Sequence, residues 1–496
     1  MEDKLSAFHS WVNSLNKPLT YPGTSLLRIS DNISIGDRGL VASTEIKPNQ
    51  CILSITLLDP RLLLTPSRAL RLLTLCDCDS CILSITLLDP RLLLTPSRAL
   101  RLLTLCDCDS VYIRTNTHVE PMDALVLFFL HLRCASLQCS ESCLLLPLWR
   151  PYLEVLPSHF TDVAFVSIRH PDLYARVLST LPSDVSFAFR KQSSRARTAF
   201  ERLFGSGGSQ AYQQPRMLAN FAWAWSLVNS RCVYCKLSQD VDERTSGFPL
   251  LGHQVLKQKT YCMINSQKSS DVAIVPFFDF FNHSPAVSVK LNLDGNCVRL
   301  SSSGGTLSGD QVFINYGDHD NLFLLCEYGF CLPDGLNPSD AYFPTYSDLL
   351  IVSPRISDKL DHVLTELHID GDISDQSSNP SDCANRHWKS VFITRSGPSY
   401  FLLLILYVLS LGSSELPSAN QLFALDEDEC LALAKPLFLT LVTSALVQTR
   451  QTLQQLDSAM TEEEKSGFVS QVVSLLRCRC LFFSSLINES AQTAKT

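Results

Sequence analysis

Apolar and polar positions follow two different periods along the chain, and the changes of period divide it into regions. Residues 25–57 alternate in the manner of β-strands, with turn residues between the apolar runs. Residues 121–205 follow the helical period, residues 261–316 return to strands and turns, and residues 396–490 are helical again. The pattern therefore predicts an α+β protein in which a helical insert divides a β-rich part and a helical tail follows it.

Local signals refine this plan at its ends and around one helix. Residues 1–21 predict a short amphipathic helix followed by a proline-containing loop. Residues 318–329 predict a helix, because Asp318 or Asp320 can cap its start and Gly329 suits the left-handed position after its end.

Residues 51–80 and 81–110 are identical letter for letter. Chance cannot produce such a copy, and structural repeats diverge and need about three copies to bury a shared core. We interpret the block as a recent exon-type duplication or a gene-model error. Each copy predicts a short strand, a turn and an apolar helix, so only one copy can occupy the strand position beside the preceding segment.

The composition narrows the functional classes. Against 49 Asp and Glu, the 496 residues carry 41 Lys and Arg, a net charge of −8. This balance argues against a general nucleic-acid binder, which needs many cations, and suits a basic peptide or a cationic cofactor. The unbroken apolar runs, such as Tyr400–Leu411, are shorter than the roughly 20 residues that span a bilayer, so we expect no membrane partner.

The 19 cysteines are odd in number and scattered, and the first residues do not resemble a secretory signal, so we expect reduced intracellular thiols. Cys232 and Cys235 form a C-x-x-C pair, but a zinc site needs four ligands and a second pair is missing nearby. We therefore predict no metal site.

The stretch 271–330 carries the chemical signal. Taken alone, the Asn282-His283-Ser284-Pro285 turn is common, and so is a strand that ends in Tyr-Gly. Together with the early turn GDRGLVA at 36–42, this turn and the later Asn315-Tyr316-Gly317 resemble the SET-domain family. The helical insert between the two halves resembles the split-SET subgroup, which includes the Rubisco large-subunit methyltransferase.

Further segments carry the same resemblance: WRPYLEVLP (149–157), FAWAWSLVNSRCVYC (221–235), FFNHSPAVSVK (280–290), VFINYGDHDNLFLLCEYGFCL (312–332) and GPSYFLLLILYVLSLG (397–412). The resemblance implies a SET-domain β-fold with a pseudoknot, split by a helical insert and followed by an all-helical substrate-binding domain. The implied divisions are an N-terminal helix (1–21), an N-terminal SET lobe with the duplication (22–110), the insert (111–255), a C-terminal SET lobe (256–345) and the helical domain (346–496).

The resemblance implies a protein-lysine N-methyltransferase that uses S-adenosylmethionine. Methyl transfer to an amine is an in-line displacement, so positioning is the main requirement. A desolvating channel and the sulfonium lower the lysine pKa from about 10.4, so the protein needs no strong general base. Tyr316 matches the family's catalytic tyrosine, and Tyr328 is expected to line the lysine channel. The residues expected at the cofactor are Gly36, Asp37, Arg38, Arg231, Asp279, Phe280, Phe281, Asn282, His283, Tyr316 and Phe330.

The expected substrate is a histone or a non-histone protein, and the expected location is the cytoplasm and the nucleus. Two alternatives stay open. One is a protein-histidine methyltransferase, because a close branch of the family modifies histidine. The other is a non-catalytic binding module that keeps the fold, although the presence of Tyr316 counts against it.

Overall fold

The protein is described by a computed structural model, which covers residues 2–15, 24–31, 38–56, 64–65, 68–69, 120–137, 145–205, 215–234, 272–294, 297–333, 335, 337–352, 357–369, 390–412 and 416–492. The chain forms two compact units. The first unit comprises Met1–Phe160 and Ala196–Asp318, and the second comprises Thr161–Arg195 and His319–Thr496. The units divide the predicted helical insert twice, after residue 160 and after residue 195, and the predicted domain limits stay predictions.

Helices account for most of the described residues. In chain order they are α1 (Glu2–Leu15), α2 (Pro121–Leu137), α3 (Leu145–Leu153), α4 (Val163–Arg169), α5 (Pro171–Thr180), α6 (Ser183–Phe204), α7 (Pro215–Arg231), α8 (Asn321–Tyr328), α9 (Tyr346–Val352), α10 (Ser357–Glu366), α11 (Tyr400–Ser410), α12 (Ala419–Phe423), α13 (Glu427–Ala459) and α14 (Phe468–Gln492). They confirm the helical insert and the helical tail.

The strands are short. In chain order they are β1 (Leu27–Ser30), β2 (Gly39–Ala42), β3 (Cys51–Thr56), β4 (Cys232–Tyr234), β5 (Val272–Ile274), β6 (Asn282–His283), β7 (Val289–Asp294), β8 (Cys297–Ser302), β9 (Phe313–Ile314), β10 (Ile393–Thr394) and β11 (Gly397–Pro398). β3, β8 and β7 form an antiparallel sheet, β1 pairs with β2, β4 with β5 and β10 with β11, and the pair β6–β9 is parallel. The predicted α+β class is therefore confirmed.

The first copy of the duplicated block takes part in these sheets. Its opening strand is β3, whose Ile52, Leu53 and Ile55 are buried against the sheet. Leu64, from the same copy, forms an antiparallel bridge with Ile274 of β5. The strand predicted at the start of the copy is thus confirmed. Residues 81–110, the second copy, lie outside the described residues.

The core of the first unit is rich in aromatic side chains. Trp149 and Tyr152 of α3 are fully buried, and Trp149 packs edge-on against Phe128 of α2 at 5.0 Å between ring centroids. Asp123 at the start of α2 is also buried, but both of its carboxylate oxygens accept hydrogen bonds from Arg202, at 2.8 and 2.9 Å. The buried charge is therefore paired and hydrogen-bonded, as burial of a carboxylate requires.

The caps of α8 in the second unit follow the sequence prediction and decide between its two candidates. The side chain of Asp320, rather than Asp318, accepts a hydrogen bond from the backbone N–H of Phe323 at 2.7 Å. Gly329 ends the helix with φ +79°, and an added Cβ there would lie 2.6 Å from Oγ1 of Thr161. A side chain at this position would therefore be both strained and obstructed.

α13 and α14 of the second unit are long and apolar enough to cross a membrane, judged by length and composition alone. This is weak support for a membrane span, because the core helices of compact domains pass the same test. Both helices contribute to the buried core of the unit, with Phe438 and Leu441 from α13 and Phe483 from α14. The expectation of no membrane partner rested on the length of unbroken apolar runs. Polar residues interrupt both helices, so neither helix is such a run, and the expectation stays a prediction.

Candidate active site

The parallel pair β6–β9 brings the two most informative motifs together. Asn282 pairs with Phe313 and His283 with Ile314, and the backbone N–H of Ser284 donates to the carbonyl of Ile314 at 2.9 Å. Because β9 ends two residues before Tyr316, this register places Tyr316 beside the turn. The rings of His283 and Tyr316 are 5.2 Å apart. The turn and Tyr316, both expected at the cofactor, therefore lie side by side in the fold.

The hydroxyl of Tyr316 donates a hydrogen bond to the backbone carbonyl of Phe281 at 2.5 Å. The side chain is half-buried, and burial raises the pKa of this phenol above its ordinary value of 10.0. The phenol therefore stays neutral at physiological pH and does not act as a base. Since its proton points to Phe281, its oxygen lone pairs face away from that carbonyl and can accept from a donor or stabilise a positive charge.

His283 positions the backbone next to Tyr316. It is buried, with 2% of its surface exposed, and its Nδ1 accepts a hydrogen bond from the backbone N–H of Tyr316 at 3.1 Å. A nitrogen that accepts this bond carries no proton, so the ring is the neutral tautomer with its proton on Nε2. The imidazole therefore fixes the backbone at Tyr316 and does not supply a positive charge.

Asn282 links the turn to the N-terminal glycine turn. Its Nδ2 donates to the backbone carbonyl of Arg38 at 3.0 Å. The guanidinium of Arg38 donates to the carbonyl of Val155, in the loop after α3. Three segments that are far apart in the sequence thus meet at Arg38. The predicted cofactor residues Gly36 and Asp37 lie outside the described residues.

Asp279 lies at the centre of a buried polar cluster just before the turn. Its Oδ2 accepts from the hydroxyl of Tyr152 at 2.7 Å and from Nη1 of Arg231 at 2.8 Å. Nη1 of Arg231 also donates to the backbone carbonyl of Asp279 at 3.0 Å. The side chain of Asp279 is fully buried and that of Arg231 is 18% exposed. We call Tyr152, Asp279 and Arg231 the anchoring triad.

The pKa values in the anchoring triad reflect its burial. Burial raises the pKa of Tyr152 well above its usual range, and the neighbouring Asp279 carboxylate adds to this shift. Burial also raises the pKa of Asp279, while Arg231 and Tyr152 oppose it. For Arg231, burial is the largest single influence and lowers the pKa, but the charge of Asp279, the hydrogen bond to it and the nearby phenols together outweigh burial, so the net shift is upward. The arginine is therefore always charged. The phenol of Tyr152 keeps its proton and donates it in the hydrogen bond to Asp279.

Arg231, which is expected at the cofactor, already uses part of its guanidinium to bind Asp279. Nη1 is engaged by Asp279, whereas Nε is buried with no hydrogen-bond partner among the described residues. The guanidinium also lies 5.2 Å from the ring centroid of Phe280, so an aromatic face supports it. The geometry thus leaves Nε as a donor for a second anion.

The backbone is strained two residues before the triad's aspartate. Phe277 is fully buried and has φ +79° and ψ −46°, a conformation that bulky residues rarely adopt. Such a residue costs on the order of 1–3 kcal/mol and persists only where the surrounding structure imposes it. It starts the single 3-10 turn Phe278–Phe280, and the carbonyl of Phe277 accepts from the N–H of Phe280 at 3.2 Å.

Sequence reasoning did not assign two residues that contribute to this arrangement, Tyr152 and Phe277. Tyr152 lies in the segment WRPYLEVLP, which carried part of the resemblance, but nothing in that segment indicates a partner 127 positions away. Phe277 gives no local signal, because positive φ values are normally marked by Gly or Asn.

Tyr328 and Phe330 belong to the second unit and stay predictions there. They flank Gly329, their rings are 6.2 Å apart, and Tyr328 lies 6.4 Å from Phe323. Within the ranges that the structure describes, no group of three His, Cys, Asp or Glu side chains is placed to hold a metal ion. Cys235 of the C-x-x-C pair is not among these residues.

Comparisons with known proteins find SET-domain relatives and solved structures of the same fold. No protein-family model matches the chain. The SET domain-containing protein 4 of Mus musculus is 28% identical over 255 residues, which cover 49% of this chain and 48% of the relative. A ribosomal lysine N-methyltransferase of Schizosaccharomyces pombe is 29% identical over 119 residues, which cover 24% of each.

Among solved structures, the SET domain of LSMT bound to lysine and AdoHcy has a TM-score of 0.51 and 15% identity to this chain. The match covers 100% of this chain and 92% of that one. At this identity the likeness shows a common fold and nothing further. This chain spans about half the length of the mouse relative, 48%.

Proposed function

We propose that this chain, which has the fold of the SET-domain methyltransferases, transfers a methyl group from S-adenosylmethionine to a lysine side chain of a protein. The observation that carries the proposal is the hydrogen bond from the Tyr316 hydroxyl to the Phe281 carbonyl, next to the Asn282-His283 turn. It gives a neutral phenol, fixed at one edge of the site, whose lone pairs face away from the turn.

The residues present fit such a cofactor. The amino-acid end of S-adenosylmethionine carries a carboxylate, and Arg231 combines a fixed positive charge with a buried Nε that lacks a partner among the described residues. A guanidinium has five N–H donors, of which Asp279 engages those of one nitrogen. Asn282 and His283 would lie beside the cofactor, and Arg38 would hold the glycine turn to Asn282.

When bound, the cofactor supplies a methyl group on a positively charged sulfonium. The chain's part is to orient this group and the incoming amine. Tyr316 and the carbonyl of Phe281 would present two oxygen atoms to this positive charge, and His283 holds the backbone that carries Tyr316. Because Tyr316 stays protonated, the amine must lose its own proton before transfer, which a desolvated site next to a cation favours.

We infer lysine as the target because the LSMT structure is bound to lysine and the fission-yeast relative is named for lysine methylation. A histidine target is the alternative. The net charge of −8 suits a basic protein segment, whether of a histone or of a non-histone protein such as a ribosomal one. Action in the cytoplasm and the nucleus is part of the same proposal.

The decisive test is Tyr316→Phe, with Tyr400→Phe as the matched control, because Tyr400 lies at the start of α11 and is 37% exposed. We expect Tyr316→Phe to bind S-adenosylmethionine with nearly the wild-type heat in calorimetry, since the phenol orients reacting groups and does not anchor the cofactor. Transfer of radiolabelled methyl into a cell extract should fall by about 100-fold or more. The control should keep both properties.

Mass spectrometry of the labelled protein then identifies the modified residue and separates lysine from histidine. Undiminished transfer by Tyr316→Phe would remove Tyr316 from the reaction. If the wild-type protein gave no heat with millimolar cofactor, the enzymatic function would be excluded and the binding-module alternative would take its place.

A further inference from the structure

α1 packs one face of its helix into the first unit. Its buried residues Leu5, Phe8 and Val12 are spaced three and four apart, so they share one stripe of the helix. Phe8 and Val12 have no exposed surface. The sequence predicts this amphipathic helix but not what it packs against. Its packing partners are residues that support the candidate site.

Besides Trp11 of its own helix, Phe8 contacts three aromatic rings, and each of these three belongs to a different part of the site's support. Its ring centroid lies 5.7 Å from Tyr152, 6.5 Å from Phe277 and 5.6 Å from Phe280. Tyr152 holds Asp279 by a hydrogen bond, Phe277 carries the strained backbone, and Phe280 lies under the guanidinium of Arg231. One side chain of α1 therefore touches the supports of both charged members of the anchoring triad.

His9 adds a second contact from the same helix. Its ring stacks on Phe277 at 5.4 Å with an interplanar angle of 12°, and its Nε2 lies 2.9 Å from Oγ1 of Thr24. Phe277 is thus held from one side by two neighbouring residues of α1. A positive φ at a bulky residue needs such external restraint, because the local sequence does not favour it.

We propose that Phe8 is a positioning residue of the active site, and that α1 imposes the conformation of residues 277–283 on which Tyr316 and Arg231 depend. The role in methyl transfer rests on the proposed function, but the restraint of this segment does not. Phe8 itself touches neither Tyr316 nor the turn in any described contact, so it acts through Tyr152, Phe277 and Phe280.

The test compares Phe8→Leu and Phe8→Ala with Val12→Ala, in the full-length protein and well below each variant's melting temperature. Val12 is equally buried on the same helix, so its truncation weakens α1 without removing a ring from the cluster. Hydrogen exchange of peptides from 277–284 is the main measurement, because the N–H groups of Asp279, Phe280, Phe281 and Ser284 are hydrogen-bonded there. Peptides from β7 and β8 report on the rest of the unit.

We expect both Phe8 variants to raise exchange in 277–284 by about tenfold relative to β7 and β8, as a local opening would. Val12→Ala should change the two regions in parallel. In methyl transfer, Phe8→Leu should raise the KM for S-adenosylmethionine and lower kcat, whereas Val12→Ala should leave both near wild type.

If Phe8→Leu and Phe8→Ala changed exchange in 277–284 no more than Val12→Ala does, the positioning role would be wrong. If the wild-type protein lacked methyl transfer but the Phe8 variants still loosened 277–284, the positioning role would stand and the proposed function would fall. The exchange measurement therefore tells the two ideas apart.

Discussion

Each unit contains a buried arginine–aspartate pair with an aromatic ring against the guanidinium, and the two pairs hold different kinds of structure. In the first unit, Arg231 pairs with Asp279 at 2.8 Å, with Phe280 below the guanidinium. In the second unit, Arg479 pairs with Asp184 at 2.6 Å, and the ring of Tyr342 lies 5.3 Å from the guanidinium.

The elements that carry the two carboxylates account for the difference. Asp184 lies in the long helix α6 and Arg479 in α14, and both helices keep their form through their own backbone hydrogen bonds. Asp279 lies in one 3-10 turn that follows a strained residue and leads into a two-residue strand. The same type of ion pair therefore supports the stability of helix packing in the second unit and the geometry of the candidate site in the first.

The largest effect should come from breaking either pair. Asp279→Ala and Asp184→Ala each leave a buried guanidinium without its carboxylate, which costs about 3–5 kcal/mol. We expect both variants to lose thermal stability, measured by calorimetry. Only Asp279→Ala should also lose binding of S-adenosylmethionine at temperatures where it is folded. Equal cofactor affinity in the two variants would show that the first pair, too, serves stability alone.

A smaller effect should come from removing one hydroxyl in each unit. Tyr152 donates to Asp279, and Tyr342 is hydrogen-bonded to Asp348. A hydrogen bond to a charged group contributes about 1.5–3 kcal/mol, so Tyr152→Phe and Tyr342→Phe should destabilise by similar amounts. Methyl transfer should fall in Tyr152→Phe and not in Tyr342→Phe. Activities of the two variants are compared at temperatures where equal fractions are folded. An equal loss of methyl transfer in both variants would contradict the prediction.

The smallest effect concerns pH and the cap of α8. Burial raises the pKa of Asp320 to about 6, and the nearby Asp340 raises it further, while the bond from Phe323 and the charge of Arg479 lower it. Because the folded state holds this proton more tightly than the unfolded state, the stabilising contribution is complete below about pH 4 and is lost as the pH rises through 6.

Asp320→Asn keeps a good capping side chain and removes the titration. The free energy of unfolding of the wild-type protein should therefore fall relative to that of the variant between pH 4 and 6, by an amount on the order of 1 kcal/mol for this half-buried group, and the melting temperature should fall with it. Parallel melting curves over that range would contradict the assignment.

Patterns that repeat along the chain predicted much of this molecule. The helical period located α2 to α6 and the tail, and capping chemistry indicated the end of α8 and two candidates for its start. The turn at Asn282 and the tyrosine at 316 were identified together because their residues form a specific ordered set. These features depend on neighbours in the sequence, which a period or a motif can report.

Features that depend on distant partners were not predicted. The buried face of α1 was visible in the sequence, but its contact between Phe8 and Phe277 was not. Strands of two residues, such as β6 and β9, are too short to show a period. Arg231 was expected at a cofactor, and its pairing with Asp279 emerged only from the fold, because a guanidinium accepts several partners and the sequence does not rank them.

The bond between Asn282 and Arg38 spans 244 positions of the chain. On a ribosome that adds about 5–20 residues per second, the first partner waits roughly 12 to 50 seconds for the second. The aromatic surface of α1 is translated before any of its partners. The apolar stripe of a newly made α1 therefore lacks its partners until Tyr152, Phe277 and Phe280 have been translated, and the site cannot form before Tyr316 has been added.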